Sequence, residues 1–147
     1  MAKGVVAMNI IPDRNWNIAD SEERREKTRN LNHVVQLARD LDLPLNVGTE
    51  MNKRGQKLVD DYNAAELAPL RQAFLDGAYF VYGHTIAQEA LGVGYQSEWA
   101  HTHLAGRRER NAFYTNLGRR VPPGRRGLRK LKNLNPGLFP SEMLAVL

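Results

Sequence analysis

Short, almost wholly apolar segments alternate with segments of helical periodicity, and this alternation constrains the fold more than any other feature. Residues 4–12 read GVVAMNIIP, residues 43–47 read LPLNV, and residues 78–82 read AYFVY. Runs of this kind that lack polar alternation are typical of strands buried on both faces. Strands that alternate with helices favour a parallel sheet with right-handed crossovers.

Capping signals predict the helices between these runs. Asp20, with Glu23 three residues later, has the capping-box spacing. Apolar residues then recur at helical spacing at Leu31, Val34, Val35, Ala38 and Leu41. We expect this helix to stop before Pro44.

Further helices are expected on both sides of the third apolar run. A short helix is predicted over residues 56–62. Another is predicted to start at Asn63 or Ala68, with Pro69 suited to its first turn and Gly77 to the position after its end. Ala78–Tyr82 would then be the third strand. Thr85 and Gln88 repeat the capping-box spacing after it.

The pattern changes in the last third of the chain. Ser97 predicts the cap of a long helix that runs to about Asn116, and the segment VPPG at 121–124 interrupts the chain. We therefore divide the chain into a β/α-repeat portion, residues 1–96, and a basic C-terminal segment, residues 97–147, that packs on it. The predicted fold class is α/β: repeated β-α units with parallel strands, as in a partial β/α barrel, followed by a mainly helical basic segment.

Composition limits the classes of protein that fit. The 147 residues contain no cysteine, which excludes disulfides and cysteine-ligated zinc. Residues 101–147 hold ten Lys/Arg and two Asp/Glu, a net charge of +8, whereas residues 1–100 have a net charge of −3. No apolar run reaches the length of a membrane span, and no signal-peptide pattern begins the chain. We expect a soluble, cytoplasmic protein without a membrane partner.

Polar side chains follow each predicted strand, where β/α folds carry their sites. The set comprises Asp13, Arg14, Asn15, Glu50, Asn52 and His84. Glu50 and His84 are the predicted ligands of a divalent metal (Mn, Mg or Zn), with Glu50 also a candidate acid/base and Arg14 a phosphate or carboxylate clamp. Asp13, Asn15 and Asn52 would help to bind the ligand. The alternative is that these groups close the sheet edge and that Glu50 pairs with Arg14.

Two other patterns suggest binding. His101-Thr102-His103 resembles an H-x-H metal motif, but residues two apart on a helix point in different directions. The basic segment includes Arg119 and Arg120 as candidate phosphate-binding residues. Its basic residues could bind nucleic acid or an acidic partner surface, or could simply form a solvated face.

The segments LPLNVGTEMN, at 43–52, and AYFVYGHT, at 78–85, resemble late strands of metal-dependent β/α-barrel hydrolases, in particular the polymerase-and-histidinol-phosphatase (PHP) superfamily. The resemblance covers about residues 4–95. It implies phosphate-ester hydrolysis by metal ions at a barrel mouth. The Asp-x-His pair and the early H-x-H motif of that superfamily are absent, which fits a C-terminal fragment or a relative without its metals.

The functional hypothesis is therefore a fragment or relative of a metal-dependent, phosphoesterase-like hydrolase that acts on a phosphate-bearing small molecule. The alternative is a non-enzymatic module that binds nucleic acid or an acidic partner through the basic segment. Three strands do not close a barrel. We therefore expect the chain either to form a homo-oligomer or to be part of a longer parent chain.

Overall fold

The computed structural model describes residues 4–49, 51, 54 and 57–147. The first four elements are a strand, two helices and a second strand, and the described elements after them are all helical. The contacts group into two compact units, Met1–Gly77 and Ala78–Leu147. The sequence-based division between residues 96 and 97 rests on the change of pattern along the chain and stays a prediction.

The first unit contains the sheet and the long helix that covers it. The strands are β1 (Met8–Ile10) and β2 (Leu45–Val47), which pair in parallel with Met8 opposite Leu45. Between them lie α1 (Asp13–Trp16) and α2 (Ser21–Asp40). The pairing confirms the predicted parallel arrangement of the first two strands.

Helix α2 begins and ends where the sequence predicts. The Asp20 carboxylate accepts hydrogen bonds from the backbone N–H groups of Glu22 and Glu23, at 3.0 and 2.8 Å. These bonds satisfy backbone donors that the first turn leaves without partners. The helix ends at Asp40, and Asp42 has a φ of 50°, a left-handed conformation that turns the chain toward Pro44.

A single apolar core fills the first unit. Its buried members are Trp16, Leu31, Val35, Ala38, Leu43, Leu45, Leu67, Leu70 and Phe74. Of the five apolar residues predicted on α2, Val34 and Leu41 are 37% and 43% exposed. The inward-facing part of the stripe is therefore narrower than predicted.

The predicted third strand is wrong, because residues 78–82 lie inside helix α3 (Arg71–Leu91). A 3₁₀ turn, Ala68–Leu70, precedes it with Pro69 in the first turn, as expected. Gly77 does not end the helix. A Cβ there would lie 1.7 Å from the Leu45 carbonyl oxygen, so this glycine lets α3 approach β2 closely.

The predicted fold class is consequently wrong as well. Repeated β-α units and a partial barrel require a third parallel strand, whereas the described residues form a two-stranded sheet in a mainly helical chain. The predicted helix at 56–62 is not formed either, since the described residues 57–62 make bends and turns.

The second unit consists of the rest of α3 and four shorter helices. These are α4 (Glu98–His103), α5 (Arg107–Arg120), α6 (Arg125–Lys132) and α7 (Pro140–Ala145). Ser97 caps α4 as predicted, with its Oγ 3.1 Å from the Ala100 nitrogen. The expected long helix to Asn116 is instead two helices, separated at Leu104–Gly106.

Helices α3 and α5 contact each other through two glycines. A Cβ on Gly83 would lie 2.0 Å from the Tyr114 carbonyl oxygen, and one on Gly118 would lie 2.0 Å from that of Tyr79. Each glycine is the last residue of a Tyr-x-x-x-Gly pattern. The backbones therefore meet directly, and the ring of Tyr114 is buried beside them.

None of the helices within the described ranges combines the length and hydropathy that a membrane span requires.

Candidate functional site

The residues that follow β1 form a compact polar turn. Asp13, Arg14 and Asn15 all lie on α1, directly after the strand. The Asn15 side chain donates to the Ile11 carbonyl at 3.1 Å, and the Asp13 carboxylate accepts from the Asn17 amide at 2.9 Å. These bonds fix the turn at the carboxyl end of the strand, where the sequence predicts a ligand site.

A carboxylate absent from the predicted set lies beside this turn. Asp60 is 7% exposed, and its Oδ1 accepts a 2.6 Å hydrogen bond from Trp16 Nε1. Burial raises the pKa of Asp60, the bond from Trp16 opposes that rise, and the charge of Asp13 adds to it. A tryptophan in a polar loop needs an acceptor when its ring is buried, which is the signal in the sequence that could have pointed to Asp60.

The two residues predicted after β2, Glu50 and Asn52, lie outside the described residues. Their assignment as metal ligand, acid/base and ligand-binding groups stays a prediction. Among residues 4–49, 51, 54 and 57–147, no group of three or more His, Asp or Glu side chains is arranged to hold a metal ion.

His84 lies in the middle of α3, in the second unit, rather than after a strand. Its Nδ1 accepts a 2.9 Å hydrogen bond from the backbone N–H of Tyr95, and its ring packs edge-on against Tyr114. Burial lowers the pKa of the imidazole. These contacts give His84 a structural task in holding the loop after α3.

The two histidines of the H-x-H pattern have separate partners. His103 Nδ1 lies 2.9 Å from the Trp99 carbonyl oxygen. His101 contacts the Gln96 side chain through Nε2 and accepts from Arg110 through Nδ1.

A strongly basic surface lies on α6. Its five basic residues, all exposed, are Arg125, Arg126, Arg129, Lys130 and Lys132. At 100° per residue they occupy one continuous arc of about 160°. Gly127 and Leu131 are buried on the opposite side. Together with Arg119 and Arg120 at the end of α5, these five residues are called the basic surface below.

Helix α7 connects the two parts of the basic surface. Arg120 donates to the Leu144 carbonyl and Lys130 to that of Leu147. The last turn of α5 and the last turn of α6 therefore meet at the same end of α7. Arg119 lies over the ring of Tyr79, with its guanidinium carbon 5.6 Å from the ring centroid.

A groove of about 640 Å³ runs beside these arginines. It is lined by Tyr79 and Tyr82 of α3, by Arg119 and Arg120, and by the turn from Val121 to Pro123. The Tyr82 hydroxyl donates to the Pro122 carbonyl at 2.8 Å, which fixes the turn against α3. The groove places the cations of Arg119 and Arg120 beside Tyr79 and Tyr82, an arrangement suited to an anionic ligand.

No protein-family model, curated protein or solved structure matches this chain. The predicted membership of the PHP superfamily or of a TIM-barrel-like family is therefore wrong, since the helical fold lacks the repeated strands and no family model supports it.

Proposed function

We propose that the second unit binds the phosphate backbone of nucleic acid through the basic surface. The observation that carries this proposal is the uninterrupted basic face of α6. Helix α6 contains five cations and no acidic residue, and the side chains of Arg125, Arg126, Arg129 and Lys132 form no ion pair with a described acidic residue. A dense set of exposed cations attracts polyanions over a distance of about 8–10 Å at physiological salt.

The position of two of these cations argues against a purely structural role. Arg125 and Arg126 occupy the first turn of α6, and Gly124 supplies no side-chain cap there. The amino-terminal end of a helix carries partial positive charge, so each cation there costs roughly 0.3–1 kcal/mol. Repulsion between neighbouring cations adds to this cost. A bound anionic ligand offsets both the unfavourable interaction with the helix dipole and the repulsion between cations, whereas a purely solvated face leaves both in place.

The test is the salt dependence of binding. Anisotropy of a fluorescein-labelled 20-bp DNA duplex, titrated with the full chain at several salt concentrations, should give a log–log slope of about −5 if five or six phosphates are contacted. Arg126→Gln and Arg129→Gln should each reduce that slope by about 1. The melting temperature should stay equal or rise for Arg126→Gln, because a cation leaves the first turn.

Arg25→Gln is the matched control, since Arg25 is an exposed arginine of the first unit that pairs with Glu22. It removes the same charge without touching the basic surface and should leave the slope unchanged. The proposal fails if binding is undetectable at low salt, if the slope is flat, or if Arg25→Gln has the same effect as Arg126→Gln.

The hydrolase hypothesis, with Glu50 and His84 as metal ligands and Arg14 as clamp, stays a prediction, as does a cytoplasmic location. The hydrolase hypothesis is tested first by uptake of Mn, Mg or Zn by the purified chain.

A further inference from the structure

Four aromatic rings form a continuous series of contacts from the core of the second unit to its surface. Phe113 is 3% exposed, and its ring centroid lies 5.5 Å from that of Trp99. His103 stacks on Trp99 at 5.0 Å and 27°, and Phe139 meets His103 at 5.5 Å and 73°. The series of ring contacts ends at the protein surface, where Phe139 is 60% exposed.

The backbone of Phe139 is held on both sides. Its N–H donates to the Glu142 carboxylate at 2.9 Å, and its carbonyl accepts from the Met143 N–H at 2.9 Å. Met143 is fully buried and anchors this turn. The exposed phenyl ring is thus presented on a fixed support, which lowers the entropy lost when a flat ligand stacks on it.

Helix α7 sets the distance between this ring and the cations. Phe139 is the residue before α7, and the carbonyls that receive Arg120 and Lys130 lie at or just beyond its other end. Six residues at 1.5 Å each make α7 about 9 Å long. A ligand that lies along α7 therefore meets cations at one end and an exposed ring at the other.

We infer that Phe139 is a stacking platform for a base of single-stranded nucleic acid whose phosphates lie on the basic surface. The inference rests on the proposed function and narrows its ligand. Every base has a flat face that can stack on a phenyl ring, whereas in a duplex those faces are covered by neighbouring base pairs. The charge of the basic surface selects a nucleic acid over an apolar protein partner for the exposed ring.

The experiment compares two labelled probes on the full chain: a 12-nucleotide thymidine oligonucleotide and a 12-unit backbone of abasic sites. Wild-type protein should bind the thymidine probe about tenfold more tightly, the effect of one stacked base. Phe139→Ala should remove that difference, and Phe139→Trp should keep it. Val146→Ala, which truncates another exposed apolar residue of the same segment, should change neither affinity.

The outcomes separate this inference from the proposed function. Absence of binding to both probes at low salt overturns the proposed function and this inference with it. Equal, salt-dependent binding of the two probes by wild-type protein overturns only the stacking platform. An equal loss of affinity for both probes in Phe139→Ala also overturns the stacking platform. So does a change from dimer to monomer in this variant, seen by native mass spectrometry, without a change in affinity for the thymidine probe. That result would make the ring a self-association surface.

Discussion

One buried polar pair, the Trp16 indole and the Asp60 carboxylate, joins distant parts of the first unit. Trp16 and Asp60 are 44 residues apart and join the end of α1 to the segment before α3. The indole N–H needs an acceptor, but the acceptor need not carry charge. Burial raises the pKa of Asp60, so ionisation of this carboxyl is less favourable in the folded protein than in the unfolded chain.

Replacement of Asp60 by Asn and by Ala should therefore have opposite effects. Asp60→Asn keeps the Oδ1 acceptor without the charge, so the urea midpoint at pH 7 should stay equal or rise. Asp60→Ala leaves Trp16 Nε1 buried without an acceptor and should cost about 1–3 kcal/mol. A lower midpoint for Asp60→Asn than for Asp60→Ala would show that the carboxylate charge itself is required.

His84 gives the second unit a dependence on pH. The Nδ1 atom of His84 can accept the hydrogen bond from the Tyr95 backbone N–H only when Nδ1 is unprotonated. The imidazole ring faces the Tyr95 backbone and the ring of Tyr114, and Arg110 lies farther away, over the Tyr95 ring. The pKa in the folded protein lies below the ordinary value of 6.5. The unfolded chain therefore takes up the proton first, and stability present above pH 6.5 is lost as the pH falls through 6.5 toward the folded pKa.

We predict that thermal unfolding of the wild-type protein moves to lower temperature between pH 6.5 and 5, and that His84→Asn reduces this movement. Asparagine retains an acceptor near the position of Nδ1 but does not titrate in this range. Melting curves by circular dichroism at half-unit pH intervals measure the effect. An identical pH profile for the variant would assign the proton uptake to another group.

Among the elements, the contact of α3 with α5 depends most on residue size. Gly83 and Gly118 face each other's helix, and each leaves room for the other's backbone. This arrangement explains why two glycines occur inside helices, where they are otherwise unfavourable by about 1 kcal/mol relative to alanine.

Gly118→Ala should accordingly destabilise the protein by about 1–3 kcal/mol, because its Cβ would lie 2.0 Å from the Tyr79 carbonyl oxygen and the helices must separate. That loss exceeds the gain in helix propensity. Urea unfolding measures it. Gly106→Ala is the control, as a Cβ there meets nothing within 4 Å; equal midpoints for both variants would contradict the close contact.

The distance along the chain between a residue and its partner explains which elements could be predicted from the sequence. Asp20 and Ser97 act locally, since a cap bonds to the next two or three residues, and both were predicted. Gly77 and Gly83 act through distant partners, Leu45 and Tyr114, and the prediction of a helix end at Gly77 followed by a strand over 78–82 is therefore wrong. The spacing of buried residues at Phe74, Gly77, Phe80 and Gly83 is helical and was the available signal against a strand.

The candidate sites also differ in how far the sequence predicts them, because some depend on residues that are distant in the chain. The basic segment is visible in the charge pattern alone, including Arg119 and Arg120. The role of Phe139 depends on rings that are 26 to 40 positions away in the chain, and the partner of Trp16 depends on Asp60. Such pairs become apparent only when the chain is folded.

At the scale of the whole molecule, the metal hypothesis has a direct test. Elemental analysis of the purified chain for Mn, Mg and Zn should show a bound ion if Glu50 is a ligand, and Glu50→Gln should lower its occupancy. If Glu50 instead pairs with Arg14, which is exposed, the variant should lose at most about 1 kcal/mol of stability without change in metal content. Wild-type protein that takes up none of these ions would exclude the site.

Helix α3 belongs to both units, and this has a consequence for how the chain folds as it is synthesised. The first unit needs Phe74 and Gly77 in helical form, yet residues 71–77 make only two turns, too few to be stable alone. The remaining 14 residues of α3 must first leave the ribosome, which takes about 1–3 s at ordinary rates of synthesis. We therefore expect the sheet-bearing unit to complete its core only after the translation machinery has begun the second unit.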